Sequence, residues 1–199
     1  MAQAIQIVQT PAAVRLKPVR PVSDDELLEL SSRNPELRFE RAAEGDLIIM
    51  PPSGSESGRR DLSVAGQVLA WAQSDGTGVA FGPSAGFRLP NGAVRAADAA
   101  WLRKDRWQAL SSEEKEKYAP LCPEFVVEVR SPSDELAELQ GKMREYIDNG
   151  AALAWLIDPF ERRVFVYRPG ALVTQLEDPS RISAEPVLPG FVLELAPVW

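Results

Sequence analysis

The sequence predicts an α/β fold: a central mixed β-sheet flanked by helices, with β-hairpins added to it. Three observations carry this. Residues 124–130 form an apolar, β-branched run, residues 136–147 repeat apolar side chains at helical spacing, and residues 153–157 are apolar again. Strand, helix and strand in that order imply a right-handed parallel crossover. A second helical pattern lies around residues 62–72, and short strand-like segments separated by Gly and Pro turns suit antiparallel hairpins. At 199 residues the chain fits one domain, residues 22–199, behind an N-terminal segment 1–21.

Taken in order, residues 1–21 carry Pro11, Pro18 and Pro21 with Arg15, Lys17 and Arg20 and read as an extended basic arm. Ser23 with Glu26 makes a capping box for a short helix that should end near Asn34-Pro35. Residues 37–50 read as a hairpin turning at Glu44-Gly45-Asp46. After a Pro/Gly/Ser loop, Leu62, Ala65, Val68, Leu69 and Ala72 form the expected buried stripe of a helix closed by Asp75-Gly76. Segments 79–81 and 86–89 precede a turn at Pro90-Asn91-Gly92, and 95–102 reads as one strand containing Asp98. Residues 103–119 look like a charged surface insertion with a short helix opened by Ser111 or Ser112. Beyond strand 124–130, Ser131 is the expected N-cap of the crossover helix, with Pro132 at its first position and Asn149-Gly150 as its stop. Segments 163–167 and 172–176 form a hairpin around Pro169-Gly170, and 191–195 reads as a last edge strand.

Composition excludes several chemistries. The chain has no histidine and a single cysteine, Cys122, so His-dependent triads, His-type zinc sites, thiolate clusters and an intrachain disulfide are all ruled out. Catalysis, if present, must use carboxylates, lysine, tyrosine or metal. A net charge of -7 argues against a generic nucleic-acid coat but suits carboxylates that gather a divalent cation. No apolar run reaches bilayer length and no leader pattern is seen, so a soluble protein of the reducing cytoplasm is expected.

Glu128 is the anomaly of its strand. A carboxylate amid Val126, Val127 and Val129 costs several kcal/mol unless it is paired or binds metal. Asp98 lies between alanines in a strand expected to neighbour it, and two hard carboxylates on adjacent strands suit magnesium. Measured back from Ser131, Glu128 lies about 10 Å along its strand and Lys142 about 16 Å along the returning helix, and the lean of helical side chains shortens the difference. Each residue has a plainer reading. Lys142 follows Glu138 by four, an ion-pair spacing; Glu128 could bridge Arg130 or Lys142 structurally; Asp98 could be a turn carboxylate. Arg88, Arg95, Arg103, Lys104 and Arg106 are candidates for a phosphate groove or are solvated charges near strand ends.

The run Pro123-Glu124-Phe125-Val126-Val127-Glu128-Val129-Arg130-Ser131-Pro132-Ser133-Asp134 resembles the signature of the Uma family of restriction endonucleases, a branch of the PD-(D/E)XK superfamily. Phe39-Glu40 before Gly45-Asp46-Leu47, Ala97-Asp98 with Trp101, the block Lys142-Met143-Arg144-Glu145-Tyr146 and Trp155-Leu156-Ile157-Asp158-Pro159 resemble its further blocks in order. The resemblance implies a restriction-endonuclease-like core and a magnesium-dependent nuclease, with manganese a substitute, acting on DNA as a homodimer. It further implies Asp98 and Glu128 as metal ligands, the Val129 carbonyl as an additional one, Lys142 in the lysine role and Glu40 as an upstream acid. Arg130 occupies the place two after the glutamate where the superfamily pattern has its lysine, and Ala97 replaces the usual proline. The rival readings are a silent module of the same fold that binds nucleic acid or protein, and a partner-binding structural domain.

Overall fold

The computed structural model describes residues 6–9, as backbone, and residues 13–199; Pro11 lies outside them. Within the segment expected to be an extended basic arm, residues 6–9 and 14–17 form paired strands. Strand β1 (Gln6–Gln9) pairs antiparallel with β2 (Val14–Lys17). Helix α1 (Asp24–Arg33) follows, with both halves of the Ser23/Glu26 capping box formed and Asn34 as C-cap. The hairpin of β3 (Arg38–Arg41) and β4 (Leu47–Met50) comes next, and β2 adds to it through Val14↔Ile49 and Leu16↔Leu47. The alternation of Val14 and Leu16 with Arg15 and Lys17 fits this pairing, because one apolar face can then cover α1.

Helix α2 (Ser55–Asp75) ends at Gly76, whose φ of 73° provides the left-handed cap. Its buried face differs from the expected stripe. Asp61, Val64, Val68 and Ala72 point inward, whereas Leu62 is 72% exposed and Leu69 is also exposed. Val68 and Ala72 of the expected stripe are buried and Ala65 packs against the core, but Leu62 and Leu69 give way to Val64 and the carboxylate Asp61.

Strand β5 (Gly78–Phe81) leads to the short pair β6 (Phe87–Arg88) and β7 (Val94–Arg95). The expected strand 95–102 is split. β7 belongs with β1–β4 and β6 in one six-stranded sheet, while β8 (Ala99–Arg103) belongs to a second, so the chain crosses between sheets at residues 96–98. Helices α3 (Lys104–Ala109) and α4 (Ser112–Glu116) form the insertion, with Ser111 capping the latter.

The second sheet runs β12-β11-β10-β9-β8-β5, where β9 is Phe125–Val129, β10 Leu153–Asp158, β11 Arg163–Tyr167 and β12 Thr174–Glu177. β9 and β10 are parallel and the other pairs antiparallel, so the sheet is mixed. Helix α5 (Leu136–Asp148) makes the crossover but starts later than expected. Ser131 instead closes a turn in which Asp134 Oδ2 accepts from the Ser131 amide at 2.7 Å. The last expected strand is present as β14 (Val192–Glu194), but it pairs with β13 (Arg181–Ser183) in a separate two-stranded sheet.

One face of the second sheet packs Phe125, Val127 and Trp155 against α2 and the C-terminal residues Phe191 and Leu193. The other packs Val126, Ala154 and Leu156 against Met143 and Tyr146 of α5. With both faces covered, every residue of β9 and β10 is buried, which explains their near-continuous apolar sequences. Among the described residues no helix is long and apolar enough to cross a membrane.

Gly78 marks a close approach in this sheet. A Cβ there would overlap the Trp101 indole and the Leu102 carbonyl oxygen, which belong to the neighbouring strand. Gly78→Ala is expected to destabilise by about 1–3 kcal/mol, the usual range for overpacking. Urea unfolding checks this, and an unchanged midpoint would contradict the close packing.

Candidate functional site

The alternation of β9 decides where Glu128 points. Phe125, Val127 and Val129 face α2, so Glu128 faces α5 with Val126. There Lys142 and Tyr146, one helical turn apart, converge on Glu128 Oε1 at 2.8 Å and 3.4 Å. The Lys142 ammonium also lies 2.8 Å from Glu40 Oε1 and 3.2 Å from the Ala96 carbonyl. It therefore takes neither the Glu138 pairing nor a solvent-exposed position. Arg130 turns away to Asp158 at 2.9 Å.

Glu40 comes from β3 of the other sheet and is fixed on several sides. Arg95 Nη1 donates to Oε2 at 3.1 Å and the Ala96 amide donates to Oε1 at 3.0 Å. Asp98 sits just before β8, at the crossing between sheets, and its Oδ2 accepts from the Val129 amide at 2.9 Å. The register Ala99↔Val127, carried one residue further, sets Asp98 opposite Glu128. The structure thus brings Glu40, Asp98, Glu128, Val129 and Lys142 together at the seam of the two sheets.

A cleft of about 450 Å³ opens onto this seam, and Asp98, Glu128, Val129 and Lys142 line it. Two further lining residues escaped the sequence reading: Asp61 and Arg38. Each carried a signal. Asp61 lies three and seven residues before Val64 and Val68 on the inner face of α2, and Arg38 lies two before Glu40 on one strand, hence on the same face. None of the five cations proposed for a groove lines this cleft. Arg88 pairs with Asp24, Arg95 with Glu40 and Glu145, Arg103 with Asp105 and Arg106 with Glu124, while Lys104 reaches the Gly76 carbonyl.

The carboxylates divide electrostatically. Burial pushes Glu128 up to about 8, with Asp98 and Glu40 adding repulsion that Lys142 only partly offsets. Burial likewise raises Asp61 to about 7, with the Asp98 charge adding to it, and raises Asp98 against the pull of Arg38. Glu40 is as deeply buried, but Lys142 and Arg95 overcome that penalty and hold it down at about 2. Burial disfavours the Lys142 charge, yet Glu128 and Glu40 outweigh it and raise the amine, which stays protonated.

These shifts set a pH dependence. Glu128 keeps its proton in the fold to about pH 8 but loses it near 4.5 when unfolded, so its stabilisation is full below 4.5 and is lost as pH rises through 8. Glu40 acts oppositely, stabilising above 4.5 and losing that contribution as pH falls toward 2. In EDTA the thermal midpoint should therefore fall as pH is raised from about 5 to about 8.5, and Glu128→Gln should flatten the slope. Equal slopes in both proteins would place the Glu128 proton elsewhere.

Residues 24–196 match the model of a family described as "Uma2: Putative restriction endonuclease". The chain belongs to that family. The matched residues include every side chain of the cleft discussed above. A crystal structure described as a putative nuclease belonging to DUF820, from Anabaena variabilis ATCC 29413, is similar to this chain with a TM-score of 0.73 and 18% sequence identity. The alignment covers 89% of this chain and 97% of that one, and so the family fold extends over nearly all of both. No curated protein matches the chain.

Proposed function

We propose that this member of the family is a divalent-metal-dependent endonuclease that hydrolyses DNA phosphodiester bonds. The observation that carries the proposal is Lys142, held 2.8 Å from both Glu128 and Glu40 beside Asp98 in a cleft of the family fold.

Among the described residues no group of three His, Cys, Asp or Glu side chains is arranged as a ready metal cage. The donor set nevertheless fits magnesium, which binds through one or two carboxylates and keeps several waters. Glu128 Oε1 is engaged by Lys142 and Tyr146, whereas Oε2 has no partner among the described residues, and Asp98 Oδ1 has only Arg38 at 3.7 Å. One oxygen of each carboxylate thus has no hydrogen bond to the protein among the described residues, and a hard cation bound there would displace the proton that burial keeps on Glu128. Magnesium, or manganese in its place, held by Asp98 and Glu128 with the Val129 carbonyl, would polarise the phosphate and supply a water of lowered pKa.

Lys142 enters the reaction protonated. It is suited to orienting the attacking water and to stabilising negative charge on the phosphoryl group, not to accepting a proton in this state. Glu40, ionised across the working pH range, holds the ammonium from the opposite side. The substrate is duplex or branched DNA, and a second copy of the chain would supply the second site for cutting both strands.

The test is nicking and linearisation of supercoiled, linear and branched DNA in magnesium, manganese and EDTA. Cutting that requires metal is the expected result. Binding without cutting on every substrate would leave a silent module, and neither binding nor cutting would end the nucleic-acid reading.

A further inference from the structure

Lys142 is the obvious cation to receive a phosphate, but without substrate its ammonium is turned to acceptors of the protein itself. An ammonium has three N–H groups, and Lys142 has three acceptors in reach: Glu128, Glu40 and the Ala96 carbonyl. Arg38 is in the opposite condition. It begins β3 and lines the same cleft, and its side chain makes no hydrogen bond among the described residues. Its Nε is buried without a partner, and its nearest carboxylate oxygen, Asp98 Oδ1, is 3.7 Å from Nη2, beyond hydrogen-bond reach. A guanidinium offers five donors in a planar fork that matches two oxygens of a phosphate. Leaving the buried Nε of such a group without an acceptor is costly, which points to an anion that completes it.

We propose that Arg38 is the phosphate-receiving residue of the cleft, its guanidinium taking the non-bridging oxygens of the DNA phosphodiester. This rests on the nuclease reading for the identity of the anion. Arg38 suits the task by position. It also lines an adjoining hollow of about 280 Å³, so it stands on the wall between the cleft and the next space along the surface. Its side chain is 31% exposed, enough to meet a ligand, while β3 fixes its base through Arg38↔Met50. The simpler role, a counter-charge for Asp98, uses at most one of its five donors and at too long a distance.

The experiment separates binding from cutting. Fluorescence anisotropy of a labelled DNA duplex in calcium, a probe ion in place of magnesium, is measured for wild type, Arg38→Met and Arg38→Lys, alongside manganese affinity and cleavage in magnesium. Arg38→Met is expected to weaken DNA binding by about 10-fold or more, the scale of a lost charge-assisted hydrogen bond. Arg38→Lys should recover part of the loss. Manganese affinity should stay equal or rise, because a positive charge beside Asp98 is removed. DNA binding unchanged in Arg38→Met, or altered only together with a fall in manganese affinity, overturns the proposal in favour of the counter-charge role. Wild-type protein that binds no DNA overturns it as well. Wild-type binding that depends on Arg38 without any cutting upholds the phosphate site and sinks the nuclease reading instead. Thermal midpoints of both variants show whether a loss reflects misfolding, and the binding of Arg38→Lys then decides.

Discussion

Glu128→Ala is expected to eliminate metal-dependent DNA cleavage, lowering the rate by about 10³-fold or more. The physical reason is the loss of one of two carboxylates proposed to hold the cation. Lewis-acid stabilisation of a phosphoryl transition state amounts to several kcal/mol, and each 1.36 kcal/mol is about tenfold in rate. Glu128 is 4% exposed and has no neighbouring carboxylate on β9 that could replace it. Asp98→Ala should have the same effect, since Asp98 approaches from the other strand and no second acid follows it in β8. Cleavage rates and manganese titration by calorimetry should fall together. Near wild-type cutting by either variant would exclude that residue from the metal site. The volume-conserving Glu128→Gln guards against a trivial explanation, because it keeps the side-chain packing while removing the charge.

Lys142→Met should be harmful in two separable ways. The methionine keeps most of the apolar stem, so the change mainly deletes the ammonium between Glu40 and Glu128. Breaking a buried ion pair by removing one partner costs about 3–5 kcal/mol. The cost should depend on pH in a definite direction. Glu128 can remain protonated up to about 8 and so tolerates loss of its partner at low pH, whereas an ionised Glu128 beside ionised Glu40 cannot. The variant should therefore be destabilised more at pH near 9 than near 6 in urea unfolding. Cleavage should fall by about 10²–10³-fold, the scale of one preorganised charge donor. An equally stable variant would mean that Lys142 contributes little to holding the carboxylates, and retained cleavage would remove it from the mechanism.

Much of this site could be read in the sequence because it rests on local rules. A glutamate in a valine-rich strand is anomalous wherever that strand lies, and the two-residue period fixed which face Glu128 shares with Val126. The crossover helix and its rise per residue placed Lys142 near that face, and the contact at 2.8 Å is there. Local capping also succeeded where the motif was short and reciprocal, at Ser23 with Glu26 and at Ser111.

Other features depended on contacts between segments far apart in the chain. Residues 14–17 look like a basic arm until β4 offers them an open edge to pair with. The strand expected over 95–102 is continuous in composition, and only the presence of two sheets splits it and leaves Asp98 at the crossing. Val68 and Ala72 of α2 were placed correctly, but Leu62 and Leu69 are as apolar as the inner residues and could not be told from them; the structure packs Val64 against the sheet and turns Asp61 to the cleft instead. Charge pairing is of the same kind. Arg38 and Arg95 are indistinguishable as residues, yet Arg95 has Glu40 and Glu145 within hydrogen-bond distance and Arg38 has no such partner among the described residues. The sequence by itself determined the fold class, the crossover and the Glu128, Asp98 and Lys142 constellation, because periodicity and a misplaced charge are properties of short segments. The tertiary structure alone decided which acids are buried together, which cations are already engaged and which one has no side-chain hydrogen bond among the described residues, because those depend on distances and burial created when two sheets meet.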